Sequence, residues 1–208
     1  MGKRFIFDLD GTLLTGDYSS VNKYFKDKYG DRAGEFLANI SEILDRYEKT
    51  YPKYDYEFLS DYLEIKTGLP FTPEIIKEWD QLVGDVPSTV EEGAIDTLKD
   101  LKESGVSLVV LTNWFGESQE KRLEKAGLLE YIETVYGGDI VTKPHKEAYW
   151  IASAQYKPED CYFIGDSIDN DYIGPRCVGM NSIIYDKENV QHKSLIKVRR
   201  LEDLKKFK

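Results

Sequence analysis

Two aspartates separated by one residue end the first apolar run of the chain. Phe5–Phe7 are typical of a strand, and Asp8 and Asp10 follow, with Gly11 directly after them. Side chains two apart on a strand point to the same side, and ligands of parallel α/β sheets gather at the strands' carboxyl ends. Both carboxylates can therefore face one pocket, one as nucleophile and the other as proton carrier. A solvated pair at a strand end explains this segment alone equally well.

Further polar side chains follow later apolar runs. Thr112 and Asn113 end one run, Asp166 and Asp171 follow another, and Lys143 precedes a predicted helix start. Clustered carboxylates suit a hard cation such as Mg²⁺, whereas a lysine beside a helix N-terminus suits an anion. Each feature has a simpler explanation, such as a strand-end hydroxyl or a solvated loop charge. Their joint occurrence, in this order, favours a shared site for a cation and a phosphoryl group.

This chemistry requires a fold that brings distant segments together. Short apolar runs alternate with helical patterns, and this alternation is typical of parallel β-α units. The low polarity of the runs predicts strands covered by helices on both faces. The runs are FIFDLD, VSLVVLT, TVYG, CYFIGD and NSIIYD.

Residues 18–84 differ from the rest of the chain because they show amphipathic helical patterns and no convincing strand. We therefore predict a helical domain of residues 17–85, inserted into an α/β domain formed by residues 1–16 and 86–208. Residues 15–17 and 84–87 are the predicted linkers.

The composition limits the class of partner. The chain has 208 residues, of which 41% are hydrophobic, and a formal charge of −10, which disfavours nucleic acids and membrane surfaces as partners. Cys161 and Cys177 lack metal-ligand spacing and predict reduced thiols in a cytoplasmic protein. We expect neither a signal peptide nor a transmembrane segment.

Four short motifs resemble those of the haloacid dehalogenase (HAD) superfamily of hydrolases, in order and approximate spacing. They are DLDGTLL at 8–14, LTN at 111–113, KP at 143–144 and GDSIDND at 165–171. DxDGT with a later GDxxxxD is a specific combination, whereas KP alone is a weak signal. The resemblance implies an α/β fold with a three-layer Rossmann-like core of parallel strands. It also implies an inserted α-helical cap domain of the family's first (C1) type.

By this resemblance, the catalytic residues are Asp8, Asp10, Thr112 and Lys143. Asp8 would attack phosphorus and form an aspartyl-phosphate. Asp10 would protonate the leaving oxygen and then take a proton from the hydrolytic water. Thr112 and Lys143 would bind phosphoryl oxygens, where negative charge concentrates during phosphoryl transfer.

The same resemblance implies a Mg²⁺ site. Asp8, the backbone carbonyl of Asp10, and Asp166 would hold the ion, and Asp171 would support its water ligands or orient the lysine. Asp169 has no assigned role, because Asp171 matches the motif's second acidic position better.

The residues after Thr112 depart from the family pattern. Asn113 and Trp114 are predicted to contact the substrate together with Thr112 and Lys143. Many relatives carry glycine at the position of Trp114, which Phe115 follows here. These two aromatic side chains either stack on a substrate, touch the helical insert, or pack against a neighbouring helix.

The predicted function is Mg²⁺-dependent hydrolysis of a small phosphorylated metabolite. The main alternative is a phosphomutase resembling β-phosphoglucomutase, which would return the phosphoryl group to a sugar. Asp10 and Asp166 disfavour a carbon–halogen hydrolase, and the full set of charged motif residues disfavours a non-catalytic binding protein. The identity of the substrate and any role of His145 stay open. The oligomeric state, monomer or homodimer, also stays open. No role is expected for His192.

Overall fold

The computed structural model of the protein describes residues 2–191 and 193–208, so His192 lies outside the described residues. The strands are β1 (Arg4–Phe7), β2 (Leu14–Gly16), β3 (Ser88–Val90), β4 (Ser107–Leu111), β5 (Thr134–Tyr136), β6 (Cys161–Gly165), β7 (Asn181–Tyr185) and β8 (Lys197–Val198). The α-helices are α1 (Ser19–Tyr29), α2 (Ala33–Thr50), α3 (Tyr56–Thr67), α4 (Pro73–Asp85), α5 (Ala94–Glu103), α6 (Gly116–Lys125), α7 (Lys146–Ser153) and α8 (Gly174–Arg176). A π-helical turn covers Ile168–Ile173, and 3₁₀ helices cover Gly30–Arg32, Leu129–Tyr131, Pro158–Asp160 and Leu201–Phe207. Among these described residues, no helix is both long enough and apolar enough to cross a membrane.

Parallel strands form the main sheet of the described residues, in the order β5-β4-β1-β6-β7-β8. Neighbouring residues of β1 face opposite helical layers. Phe5 packs in a cluster with Leu98 of α5 and Leu123 of α6, whereas Ile6 packs in a cluster with Tyr149 of α7. Burying one such side chain contributes about 1.5–3 kcal/mol, so both layers stabilise the sheet between them. This arrangement confirms the predicted three-layer α/β Rossmann-like core.

The register of the central strands aligns the polar segments that follow them. β1 lies between β4 and β6, and Phe7 pairs with Val110 on one side and Ile164 on the other. Because the three strands are parallel, the chain leaves them at the same edge of the sheet. The polar residues after each strand therefore emerge side by side.

Helices α1–α4 lie in the helical insert, residues 17–85. Asp55 caps α3 by accepting hydrogen bonds from the backbone N–H groups of residues 57 and 58, and Thr72 caps α4. The core of the insert is aromatic, because the ring of Phe25 lies 5.0 Å from that of Phe36 and 5.1 Å from that of Trp79. The insert therefore has a hydrophobic cluster distinct from the two clusters that flank the sheet.

The two connections between the sheet and the insert differ from the predicted loops. β2 and β3 pair as an antiparallel ribbon, with Leu14 opposite Val90. Gly84 and Asp85, which were expected to lie in a linker, belong to the last turn of α4. Three-residue strands are too short to show a period in the sequence, which explains why the ribbon was not predicted.

Candidate active site

Three carboxylates cluster at the carboxyl edge of the sheet. Asp8 follows β1, Asp166 follows β6, and Asp171 lies on the π-helical turn. Each offers a carboxylate oxygen, and these oxygens all lie within 4.8 Å of one another. The turn directs Asp171 back toward β6, where its Oδ2 accepts a hydrogen bond from the backbone N–H of Ser167 (2.9 Å). π-Helical turns are rare and occur frequently at functional sites.

The ammonium group of Lys143 lies between two of these carboxylates. Its Nζ donates hydrogen bonds to Oδ1 of Asp8 and to Oδ1 of Asp171, both at 2.7 Å. Only 3% of the lysine side chain is exposed. Burial alone would lower the pKa of Lys143, but the charges of Asp171 and Asp8 outweigh it and raise that pKa. Lys143 is therefore a fixed positive charge at the base of the site.

Three carboxylates and one ammonium group leave excess negative charge. Burial raises the pKa of Asp8 well above its usual value; the charge of Lys143 opposes this shift, and the charges of Asp171 and Asp166 add to it. Burial also raises the pKa of Asp166. A hard divalent cation prefers carboxylate oxygens and would offset this charge. The donor set and its net charge therefore fit Mg²⁺.

The carboxylate of Asp10 forms an ion pair with Arg122. Its Oδ1 and Oδ2 accept hydrogen bonds from Nη2 (2.7 Å) and Nη1 (2.8 Å) of Arg122, and Oδ1 also accepts one from the hydroxyl of Tyr18 (3.1 Å). The Arg122 side chain is fully buried, whereas 41% of the Asp10 side chain is exposed. Bidentate pairs of this kind fix orientation as well as charge. Arg122 therefore determines where the Asp10 carboxylate points.

The side-chain amide of Asn113 binds the backbone of Lys143. Its Oδ1 accepts a hydrogen bond from the Lys143 N–H (2.7 Å), and its Nδ2 donates one to the Lys143 carbonyl (2.9 Å). Nδ2 also donates to Oε2 of Glu48 (2.8 Å). The amide that was predicted to contact substrate is thus engaged in holding Lys143 and in meeting the insert.

Glu48 of α2 brings a further carboxyl group from the insert toward the sheet edge. Its Oε1 accepts a hydrogen bond from the hydroxyl of Tyr54 (2.6 Å). Burial raises the pKa of Glu48 to about 7, although the hydrogen bonds from Tyr54 and Asn113 favour the ionised form. The protonation state of the Glu48 carboxyl group therefore affects its hydrogen bond with Asn113, the residue that holds the backbone of Lys143.

Thr112 and the two aromatic residues after Asn113 take different positions. Thr112 is buried directly after β4 and lines the same cavity as Asp8 and Asp10. Trp114 also lines this cavity, and its ring lies 4.7 Å from that of Trp79 in the insert. Phe115 stacks on Tyr56 at 4.4 Å. Both aromatic side chains thus touch the insert, and Trp114 also faces the cavity.

Two other polar residues near the motifs contact the insert. Asp169 is exposed and lies 3.7 Å from Lys49 of α2. Nε2 of His145 lies 2.8 Å from the backbone oxygen of Glu48. Both side chains therefore lie at the boundary between sheet and insert.

A cavity of about 500 Å³ lies between the sheet edge and the insert. This volume falls within the range of small-molecule sites, roughly 300–1,000 Å³. The predicted site residues that line it are Asp8, Asp10, Thr112, Asn113 and Trp114. Lys143, Asp166 and Asp171 cluster around Asp8. Folding thus brings all the predicted site residues to one end of the sheet.

A sequence model of haloacid dehalogenase-like hydrolases matches residues 3–179. The chain belongs to this family. The match confirms the resemblance drawn from the four motifs, and with it the prediction that this protein is a hydrolase.

Two relatives of this HAD-like hydrolase are named as phosphatases. The ribulose-1,5-bisphosphate 5-phosphatase of Halopiger xanaduensis is 24% identical in an alignment 208 positions long, which covers 89% of this chain and 85% of the relative. The phosphoglycolate phosphatase of Salmonella typhimurium is 33% identical in an alignment 201 positions long, which covers 85% of this chain and 78% of the relative.

A solved structure shares the same fold. The HAD-hydrolase YfnB of Bacillus subtilis, bound to magnesium, matches this chain with a TM-score of 0.71 at 18% identity. The match covers 99% of this chain and 98% of that one. At 18% identity this structural similarity establishes the fold of the present chain and nothing about its activity.

Sequence reasoning missed three residues at the site: Tyr18, Glu48 and Arg122. The structure buries Phe115, Gln119 and Arg122 at helical spacing, but two of the three are polar, so the sequence pattern alone did not mark them as one inner face. Tyr18 and Glu48 carry no signal in the sequence either, since their roles depend on how the insert packs against the sheet.

Proposed function

We propose that this HAD-like hydrolase is a Mg²⁺-dependent phosphatase that acts on a small phosphorylated metabolite through an aspartyl-phosphate on Asp8. The proposal is carried by the position of the Asp8 carboxylate at the base of the cavity, 2.7 Å from Nζ of Lys143 and next to Asp166 and Asp171. A carboxylate nucleophile, a fixed ammonium group and oxygen donors for a divalent cation are the groups that phosphoryl transfer uses.

The acidic cluster provides the ligands for the cation. In this proposal Asp8, Asp166 and the backbone carbonyl of Asp10 hold Mg²⁺, and Asp171 supports its water ligands. When bound, the ion supplies positive charge that offsets the repulsion between Asp8 and an incoming phosphate. Lys143, beside Asp8, and Thr112, on the cavity lining, bind the phosphoryl oxygens.

The reaction then needs two displacements at phosphorus. First, a carboxylate oxygen of Asp8 bonds to phosphorus as the bond to the ester oxygen breaks, and Asp10, which has taken up a proton from solvent on leaving its ion pair with Arg122, gives that proton to the departing oxygen. Second, Asp10 takes a proton from water as the water oxygen bonds to phosphorus, which breaks the bond to Asp8 and yields inorganic phosphate. Asp10 already lines the cavity, but both of its carboxylate oxygens accept hydrogen bonds from Arg122, so this ion pair must loosen when Asp10 takes up a proton.

The helical insert acts as the cap in this proposal, with residues 17–85 as the cap domain and residues 1–16 and 86–208 as the core domain. The insert lies over the cavity and contributes its walls, so it would exclude bulk water and select the alcohol part of the ester. The free thiols of Cys161 and Cys177 fit the proposed cytoplasmic location.

Phosphate release from p-nitrophenyl phosphate, measured with Mg²⁺ and again with EDTA, tests the proposal. We expect turnover that EDTA abolishes and that Asp8→Asn lowers by at least about a thousandfold, because the substitution removes the nucleophile. Asp169→Asn is the matched control, since Asp169 is exposed and its charge lies outside the carboxylate cluster. Full Mg²⁺-dependent turnover by Asp8→Asn would overturn the assignment of the nucleophile.

The products distinguish a phosphatase from a phosphomutase built on the same groups. A phosphatase releases inorganic phosphate steadily from a sugar phosphate, whereas a mutase converts it to an isomer. We expect steady release of phosphate, with no isomer detected by NMR.

A further inference from the structure

The walls of the cavity above the carboxylates are apolar. Phe25 of α1, Ile40 and Leu44 of α2, and Trp79 of α4 line it from the insert, and Trp114 lines it from the sheet edge. A phosphoryl group bound beside Asp8 would place the alcohol part of the ester among these side chains. Removing apolar surface of that alcohol from water would favour its binding there.

The described walls of this cavity carry no cationic side chain that could pair with a second anion. Among the residues that the structure describes, no lysine or arginine lines the cavity. The buried cations at its base are already paired, Lys143 with Asp8 and Asp171, and Arg122 with Asp10. A carboxylate or second phosphate on the alcohol would lose its water without gaining a cation, and it would lie near a phosphoryl group of the same sign.

We propose that this enzyme selects phosphomonoesters whose alcohol part is uncharged and presents an apolar or aromatic face, and that it discriminates against esters with a second anionic group. Asn22 and Ser41, which also line the cavity, supply uncharged groups for hydroxyls of that alcohol. The inference rests on the proposed phosphatase function. It separates this enzyme from the two named relatives, because phosphoglycolate carries a carboxylate and ribulose bisphosphate carries a second phosphate.

A pair of isosteric aryl esters tests the charge requirement. We expect kcat/KM for 4-carbamoylphenyl phosphate to exceed that for 4-carboxyphenyl phosphate by at least about tenfold, because the two differ by one negative charge. Equal turnover, or a preference for the carboxylate, would overturn the inference while leaving the phosphatase function intact. Failure to hydrolyse either ester with Mg²⁺ would instead contradict the phosphatase function on which the inference rests.

A second pair tests the apolar requirement with alcohols of similar acidity. We expect the KM for 2-phenylethyl phosphate to be lower than that for ethyl phosphate by about tenfold or more, since the phenyl group would bury its surface among the cavity walls. A KM that does not fall with the added ring would show that the walls do not bind the alcohol and would overturn this part of the proposal.

A charge introduced into the wall gives a gain-of-function test. Ser41→Lys, at an exposed position on α2 that lines the cavity, is expected to raise kcat/KM for 4-carboxyphenyl phosphate by about tenfold relative to 4-carbamoylphenyl phosphate. Ala38→Lys places the same charge on an exposed part of the same helix outside the cavity and should leave the ratio unchanged. An unchanged ratio in Ser41→Lys, or the same shift in both variants, would refute the role of the cavity wall.

Discussion

Arg122 and Asp10 form a bidentate ion pair between residues 112 positions apart in the sequence. The same guanidinium donates hydrogen bonds to Oγ of Ser88 (3.2 Å) and Oε1 of Gln119 (2.8 Å). The buried side chain of Arg122 thus connects helix α6 to Ser88 of strand β3 and to Asp10, the proposed acid–base residue. Since β3 belongs to a connection between sheet and insert, the packing of that connection helps to orient Asp10.

Replacing Arg122 with lysine tests this relationship. Lysine keeps the charge but cannot donate the paired hydrogen bonds, so Arg122→Lys is expected to lower kcat by about tenfold to a hundredfold as Asp10 loses its fixed orientation. The free energy of unfolding should fall by about 1–3 kcal/mol, because a buried polar network loses partners. Steady-state phosphate release and urea unfolding measure the two effects.

The neighbouring residue provides the control. Lys121 forms an exposed ion pair with Asp85, so Lys121→Gln is expected to change the free energy of unfolding by less than about 1 kcal/mol and to leave kcat unchanged. Arg122→Lys with wild-type kcat and stability would show that the bidentate geometry does not matter.

The sequence was sufficient to predict which segments meet at the site. Apolar runs that end in Asp8, Thr112 and Asp166 alternate with helices, and a parallel sheet brings their carboxyl ends to one edge without reference to side-chain packing. The observed sheet confirms the three-layer core, and the family model that matches residues 3–179 confirms membership of the hydrolase family. The catalytic and metal-binding roles of these residues stay predictions.

The contacts that orient those segments could not be predicted in the same way. Glu48 and Asn113 meet across 65 positions, and Arg122 meets Asp10 across a still longer separation. Such contacts depend on how the insert and α6 pack, which local periodicity does not specify. A polar side chain on a surface-like helix shows its role only when the packed neighbours are known.

Gly11 permits a close approach to Asp166 in the carboxylate cluster. Its φ is +78°, and a methyl group added there would overlap the Asp166 carboxylate. Gly11→Ala should therefore strain the turn by about 1 kcal/mol and displace Asp166. If Asp166 binds Mg²⁺, the concentration for half-maximal phosphate release should rise by about tenfold or more. A Mg²⁺ titration of activity measures the change.

Gly127→Ala is the control that separates the effect of backbone strain from the effect of displacing Asp166. Gly127 has a φ of +68°, and apart from Gly127 itself and its two chain neighbours, no atom of the described residues lies within 4 Å of the added methyl group. This variant should lose similar stability while keeping the wild-type Mg²⁺ dependence. Equal Mg²⁺ dependence in both variants would argue against Asp166 as a ligand.

Glu48 should make the stability of the fold depend on pH. Burial raises its pKa in the folded protein from an ordinary value of 4.5 to about 7. Between these values the folded state binds more protons than the unfolded state, so the contribution of Glu48 to stability is fully present below about pH 4.5. That contribution is lost as the pH rises toward about 7.

Glu48→Gln removes this titration while keeping a neutral group of the same shape. The free energy of unfolding of the variant, measured with urea relative to wild type, should therefore increase between about pH 5 and about pH 8. Glu42→Gln, at an exposed position on the same helix, should show no such trend. A wild-type protein that gains stability over Glu48→Gln as the pH rises would mean that hydrogen bonds from Tyr54 and Asn113 outweigh burial, and that Glu48 meets Asn113 as a carboxylate at neutral pH.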